Sequence, residues 1–231
     1  MRPLALAVKS SITHQLTRAL VDTYLGGYSG KQILDGLVTR GDGGMIDCVL
    51  FYCDLRNSTK LSEQLQLSDY LELINTYFEC TAGAVIDHGG EVLKFVGDAV
   101  MAIFPIDTEK RPTVDMCRAA MNSVAEAFDR AQKHNLAKSD DYPEIDFGVS
   151  LHVGQAMYGN VGIDRRLDFT VIGPAVNKVA RLEGLCKQLN TRLVISDSFK
   201  DQYAGELECL GTYEVAGSHD KVDVYTSTDY R

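Results

Sequence analysis

Residues Met45 to Leu55 form an almost continuous apolar, β-prone run, and a strand written that way is one covered on both faces. Asp54 falls near its end. Around this strand, helical and β-prone segments follow one another along the chain. Helical spacing runs through Thr59 to Leu67 and Ser68 to Asp87, where Leu71, Ile74, Phe78, Ala82, Val85 and Ile86 keep one apolar face and His88-Gly89-Gly90 stops it. Glu91 to Phe104 holds two β-prone runs around Gly97-Asp98, a pairing suited to a hairpin turn. Pro112 opens a helix to about Ala137, strands follow over Ile145 to Val153 and Gln155 to Val161, and Pro174 to Leu189 is a helix again. Arg192 to Ile195 is a strand, and the tail from Leu207 to Tyr225 supplies two more. Helices interleaved with strands and hairpins predict an α+β fold, a ferredoxin-like mixed sheet with helices packed against it.

Before this core lies an N-terminal segment, residues 1–44. Apolar side chains at positions 4, 8, 12, 16, 20 and 24 mark one stripe of a helix from Leu4 to Leu25, ended by Gly26-Gly27. A short helix over Gly30 to Leu37 leads to Gly41-Asp42-Gly43-Gly44, read as a hinge. The stripe is expected to serve core or dimer packing. The domain proper is then 45–231.

Composition removes several functional classes. Of 231 residues, 45% are hydrophobic and 24% charged, the mix of a globular protein with a sizeable core. Lysine and arginine number 23 against 32 acidic residues, a net charge of −9 that opposes nucleic-acid binding. The longest apolar run, Ala99 to Ile106, is far below the ~20 residues of a membrane helix. Lys9 cuts the apolar start Leu4 to Val8 below signal-peptide length, so a cytoplasmic location is expected. The six cysteines contain no CxxC pair and mostly sit in apolar stretches, which reads as buried free thiols, and the five histidines offer no zinc-ligand spacing.

Two aspartates stand out chemically. Asp54 ends a strand and Asp98 sits in a turn, both amid apolar sequence. Carboxylates at neighbouring strand ends can hold two magnesium ions, which clamp the attacking and leaving oxygens of a phosphoryl transfer. Spacing alone favours a helix cap at Asp54 and a turn residue at Asp98 over a metal pair.

Three stretches carry a resemblance. Phe51-Tyr52-Cys53-Asp54-Leu55-Arg56-Asn57-Ser58-Thr59, then Gly89-Gly90-Glu91-Val92-Leu93-Lys94-Phe95-Val96-Gly97-Asp98, then Leu167-Asp168-Phe169-Thr170-Val171-Ile172-Gly173-Pro174-Ala175-Val176-Asn177-Lys178-Val179-Ala180-Arg181-Leu182 occur in that order. Over residues 45 to 226 the chain resembles the class III nucleotidyl cyclase domain. The resemblance implies attack of a nucleoside triphosphate's ribose 3′-hydroxyl on its own α-phosphate, giving a cyclic monophosphate and pyrophosphate. It implies two Mg2+ or Mn2+ ions on Asp54, Asp98 and the Leu55 carbonyl, and triphosphate binding by the turn Arg56, Asn57, Ser58 and Thr59 at a helix N-terminus. Asn177 and Arg181 match the pair that orients the ribose and stabilises the transition state. Their i, i+4 spacing places both on one helical face, and a guanidinium fork suits charge building on phosphorus.

Lys94 and Thr170 match the purine-reading positions, and this pairing resembles the adenine-selecting subclass IIIb. Lysine only donates and threonine can accept, which suits adenine N1 and its 6-amino group. Guanine reverses both, leaving polar groups unpaired at roughly 1–3 kcal/mol each. The expected activity is therefore an adenylate cyclase making 3′,5′-cyclic AMP from ATP, with a guanylate cyclase or a catalytically silent nucleotide-binding regulator as alternatives. The resemblance further implies a homodimer whose sites combine groups from both protomers, an upstream sensor or regulator, and stimulation by bicarbonate as in the subclass.

Two departures matter. Where many relatives carry a triphosphate-binding lysine in Val-Lys-Gly, this chain has Val215-Ala216-Gly217, and Gly-Phe-Thr after the first aspartate becomes Asn57-Ser58-Thr59. A P-loop look-alike, Gly26-Gly27-Tyr28-Ser29-Gly30-Lys31-Gln32, has short glycine spacing and lacks the magnesium-binding hydroxyl.

Overall fold

The computed structural model describes residues 2–139, 142–214 and 221–230. Helices α1 (Arg2–Leu25) and α2 (Gly27–Leu34) precede β1 (Gly43–Leu55). Next come α3 (Ser58–Gln64), α4 (Leu67–Asp87), β2 (Glu91–Val96), β3 (Ala99–Pro105) and α5 (Thr113–Ala137). The rest runs β4 (Phe147–Ile163), β5 (Arg166–Ile172), α6 (Pro174–Gln188), β6 (Leu193–Ser196), α7 (Asp197–Lys200), β7 (Glu208–Glu214) and β8 (Lys221–Thr226). The sheet order is β2-β3-β1-β4-β6-β8-β7, with β5 paired to β4 off this path. The β4–β6 pair is parallel and the others are antiparallel, so the sheet is mixed, as expected.

The two-sided burial of β1 follows from its side-chain alternation. Val49, Phe51, Cys53 and Leu55 enter the core shared with α4 and α5, where they meet Leu73, Tyr77, Val124 and Phe128. Cys48 and Leu50 face the other way into a cluster with Ala156, Phe169, Ala175 and Val179. Thus α6 covers the second face, and a strand with no polar side becomes necessary.

Several local expectations are corrected. The two strands expected over 145–153 and 155–161 are one strand, β4, because β1 pairs with it continuously from Gly43↔Gly159 to Leu55↔Phe147. Gly154 is no break: a Cβ there would lie 2.8 Å from the Cβ of Ala175, so glycine lets α6 approach the sheet. Gly43 and Gly44 are the first paired residues of β1 rather than a hinge. Strand β5 had no counterpart among the expected elements, and α2 starts three residues earlier than Gly30. Ile12, Leu16, Leu20 and Tyr24 on α1 are 50%, 60%, 60% and 82% exposed, so this part of the stripe packs into no core formed by the described residues. Five cysteines are buried, and Cys209 is exposed. Burial pushes the Cys48, Cys53 and Cys117 thiols up to about 12, which keeps them protonated and unreactive. Among the described residues, no helix is long and apolar enough to cross a membrane.

His152 of β4 is buried and lies 2.9 Å from both Ser196 Oγ and Ser198 Oγ. Burial, reinforced by the Lys178 charge and opposed by Asp197, pushes it down to about 4. The unfolded chain therefore binds a proton that the fold refuses, and stability is lost as pH falls from about 6.5 toward 4, at roughly 1.4 kcal/mol per unit. Urea unfolding at pH 7 and pH 4.5 should show His152→Gln losing about 2 kcal/mol less than the parent over that interval. An equal loss in both would place the acid sensitivity elsewhere.

Candidate active site

The register of β1 and β3 sets Cys53 opposite Val100, so the C-terminal end of β1 and the β2–β3 turn lie at the same end of the sheet. Gly97 makes this turn at φ 64°, a left-handed conformation that favours glycine. Asp54 and Asp98 are thereby brought close enough for each carboxylate to act on the other. Asp54 is raised to about 6, first by burial, then by the charge of Asp98 and the hydrogen bond to it, against a backbone hydrogen bond from Leu55. Two carboxylates held this close require a proton or a cation between them. That demand, with the Leu55 carbonyl at the strand end, fits divalent cations, which oxygen ligands suit. Tyr52 is likewise pushed up to about 12, by burial and then by Asp54.

A third carboxylate approaches this pair and was not singled out in the sequence. Glu183 of α6 is raised to about 7 by burial and then by the Asp54 charge, with Arg56 opposing. The signal was available: Val179, Leu182 and Cys186 form the sheet-facing stripe of α6, and Glu183 occupies that same stripe. Opposite it, Gly148 has no side chain, and a Cβ there would collide with Glu183 Oε1. Among the described residues, no group of three potential ligand side chains is close enough to hold a metal by itself.

The expected phosphate turn is partly committed elsewhere. The Arg56 guanidinium donates to the Thr191 carbonyl at 2.7 Å and lies 3.6 Å from Asp146, while its backbone N–H donates to the Asp146 carbonyl at 2.8 Å. Asn57 adopts φ 59° before α3 and makes no side-chain cap, and Ser58 and Thr59 begin the helix. Asn177 and Arg181 stand exposed one turn apart on α6, and neither side chain pairs with a described residue. Val215-Ala216-Gly217 lies outside the described residues.

Lys94 on β2 reaches across to β5, the strand that carries Thr170. Lys94 Nζ lies 3.8 Å from Asp168, which sits two residues before Thr170 on the same face of β5. Thr170 is 2% exposed, yet its hydroxyl has no hydrogen-bond partner. An orphaned buried hydroxyl costs ~1–3 kcal/mol unless something fills it. Asp168 was missed because its role depends on the approach of β2 to β5. Among the described residues, no hydrogen bond or ion pair joins this group to Asp54 and Asp98.

The family model for the adenylate and guanylate cyclase catalytic domain matches residues 44–228. The chain belongs to this cyclase family. Among curated relatives of the cyclase domain, a terminal-differentiation specific adenylate cyclase of Dictyostelium discoideum is 27% identical over 194 residues, 82% of this chain and 9% of that protein. An adenylate cyclase of Anabaena cylindrica is 32% identical over 149 residues, 64% of this chain and 29% of its own length. The chain thus spans less than a third of either relative. The crystal structure of the adenylyl cyclase CyaB from P. aeruginosa superposes with TM-score 0.68 at 26% identity, covering 82% of this chain and 97% of that one. A bacterial light-regulated adenylyl cyclase shares the fold over 100% of this chain and 65% of its own, with TM-score 0.81 at 24% identity. A guanylyl cyclase also shares it, with TM-score 0.68 at 22% identity over 79% of this chain and 92% of that one. The fold of the cyclase domain therefore does not choose the base.

Proposed function

We propose that this chain is an adenylate cyclase that converts ATP to 3′,5′-cyclic AMP and pyrophosphate at a site shared by two copies. The observation that carries the choice of base is the unpaired, buried Thr170 hydroxyl, two residues along β5 from the Asp168 that Lys94 approaches. Lys94 donates to adenine N1 and Thr170 accepts from the 6-amino group, which relieves the orphaned hydroxyl. The adenylate cyclase names of the relatives support the same reading.

In the reaction, a bond forms from the ribose 3′-oxygen to the α-phosphorus while the bond from that phosphorus to the bridging oxygen breaks. Pyrophosphate leaves, and the 3′-hydroxyl proton passes to solvent. Asp54, Asp98 and the Leu55 carbonyl would hold two Mg2+ or Mn2+ ions. Such ions supply Lewis-acid stabilisation of the attacking and leaving oxygens. Asn177 orients the ribose, and Arg181 donates to the charge that grows on the α-phosphate. The backbone N–H groups of Ser58 and Thr59, following Asn57, face the triphosphate, while Arg56 braces the turn from behind.

The exposed, unpartnered Asn177 and Arg181 support a homodimer in which they complete the metal site of the other copy. The exposed stripe of α1 adds apolar surface to such an assembly. Residues 1–44 are then a segment that joins the cyclase domain at 45–231 to a sensor or regulator.

The test offers ATP or GTP with Mg2+ or Mn2+ and measures cyclic nucleotide directly. Cyclic AMP should exceed cyclic GMP by at least ~10-fold, and Thr170→Ala should cut that preference several-fold. A preference for GTP would make it a guanylate cyclase. ATP binding with no product under either metal would make it a silent regulator.

A further inference from the structure

A buried polar cluster lies behind the base-reading pair. Glu91, the first residue of β2, is 6% exposed and carries a carboxylate that forms no ion pair among the described residues, although the Arg111 charge acts on it. Its Oε1 accepts the backbone N–H of Ser29 at 2.7 Å and the Ser29 hydroxyl at 2.5 Å. The Tyr158 hydroxyl lies 2.7 Å from Ser29 Oγ and donates to the same carboxylate oxygen at 3.2 Å. Glu91 Oε2 is buried with no partner. Packing alone would be served better by an apolar side chain, since a half-satisfied buried carboxylate is costly.

The three residues come from three elements that have one neighbourhood in common. Ser29 belongs to α2, which is locked to α1: a Cβ on Gly30 would lie 2.8 Å from Val21 Cγ1 and 2.9 Å from Asp22 Oδ1. Glu91 stands three residues before Lys94, and the β2–β3 register shifts between Val92 and Lys94. A bulge re-aims the side chain that follows it, so the anchoring of Glu91 helps set where Lys94 points. Tyr158 packs edge-on against Phe169 with ring centroids 4.8 Å apart, and its neighbour Gly159 pairs with Thr170. The cluster thus fixes a residue three positions before Lys94 on β2 and packs against Phe169, the neighbour of Thr170 on β5.

We propose that Ser29, Glu91 and Tyr158 form a positioning latch through which the α1–α2 segment sets the geometry of the base-reading pair Lys94 and Thr170. The latch rests on the reading of those two residues as the base pocket. It makes the N-terminal segment a determinant of nucleotide discrimination: displacing α2 removes the Ser29 donors and frees both strands at once. Its residues touch neither substrate nor metal, so their effect falls on recognition rather than on bond making.

The experiment measures kcat and KM for ATP and for GTP in the full chain carrying Tyr158→Phe, Ser29→Ala, Glu91→Leu or Glu91→Gln, with folding checked by circular dichroism and melting. Loss of one buried donor should raise KM for ATP about fivefold to tenfold and lower the ATP-over-GTP ratio of kcat/KM by a similar factor. Saturated kcat and the Mg2+ dependence should stay within about twofold in Tyr158→Phe and Ser29→Ala, because the metal site is untouched. Glu91→Gln keeps a carbonyl acceptor for Ser29 and should recover part of the discrimination that Glu91→Leu loses. Folded variants with parental KM and parental discrimination would overturn the latch, as would kcat and stability falling together with KM unchanged. Thr170→Ala separates the two levels. If it shifts discrimination and Tyr158→Phe does not, the latch fails and the base pocket stands; if Thr170→Ala shifts nothing, both fall.

Discussion

Asp54→Asn should lower cyclic-nucleotide formation at least ~1,000-fold and, in the same protein, raise the melting temperature of the metal-free chain. The loss follows from removing one of the two carboxylates that would hold the cations. The gain follows from the raised Asp54, about 6 against an ordinary 3.8. A carboxyl raised on folding favours the fold while it is protonated, and that contribution disappears as pH climbs through the folded value. Above pH 6 the ionised Asp54 therefore weighs on the apo structure by about 1 kcal/mol, after allowing for its partial contact with water. Asparagine removes that charge, so at pH 7.5 with chelator the midpoint should rise by ~2–4 °C, and at pH 4 it should barely move. A variant that melts lower at pH 7.5, or that keeps its activity, would contradict the assignment of Asp54 to a strained metal-binding pair.

The second large effect tests the proposed sharing of the site between two copies. Arg181→Ala alone should cost ~100- to 1,000-fold in turnover, the range for losing one donor to developing negative charge. Co-expressed with Asp54→Asn chains, it should regain activity. Half of a random mixture is heterodimer, and each heterodimer has one site with both defects and one with neither, so recovery should approach about a quarter of the parental rate. Continued inactivity in dimers shown to be mixed would mean that each copy builds its site alone. Dilution adds a check, since specific activity should fall once the dimer dissociates.

How far the sequence could be followed is clearest in particular elements. Strand β1, the β2–β3 hairpin, α5 and α6 were legible because each is bounded by local chemistry: a two-sided apolar run, Gly97 in the turn, Pro112 before α5 and Pro174 at the start of α6. Asp54 and Asp98 were legible as polar residues at strand ends. The single strand β4 was not, because Gly154 signals a break unless β1 is known to pair across it. The exposure of Ile12, Leu16, Leu20 and Tyr24 was not legible either, since a helical stripe has the same spacing whether or not anything covers it.

By itself, the order of residues determined the strand-and-helix succession, the placing of the two carboxylates at strand and turn ends and the Asn177–Arg181 face, because these rest on local propensity and fixed side-chain spacing, while the Lys94–Thr170 pair came only from the resemblance to the cyclase family. Only the tertiary structure decided that Asp54 and Asp98 act on each other and that Glu183 is pressed beneath the same site. It alone pairs Lys94 with Asp168, leaves the Thr170 hydroxyl unsatisfied and ties Ser29 to Glu91 across 62 positions. Each of those facts depends on sheet register and on the approach of a helix to a strand, and a carboxylate's charge state follows from what else is buried around it, not from its neighbours in the chain.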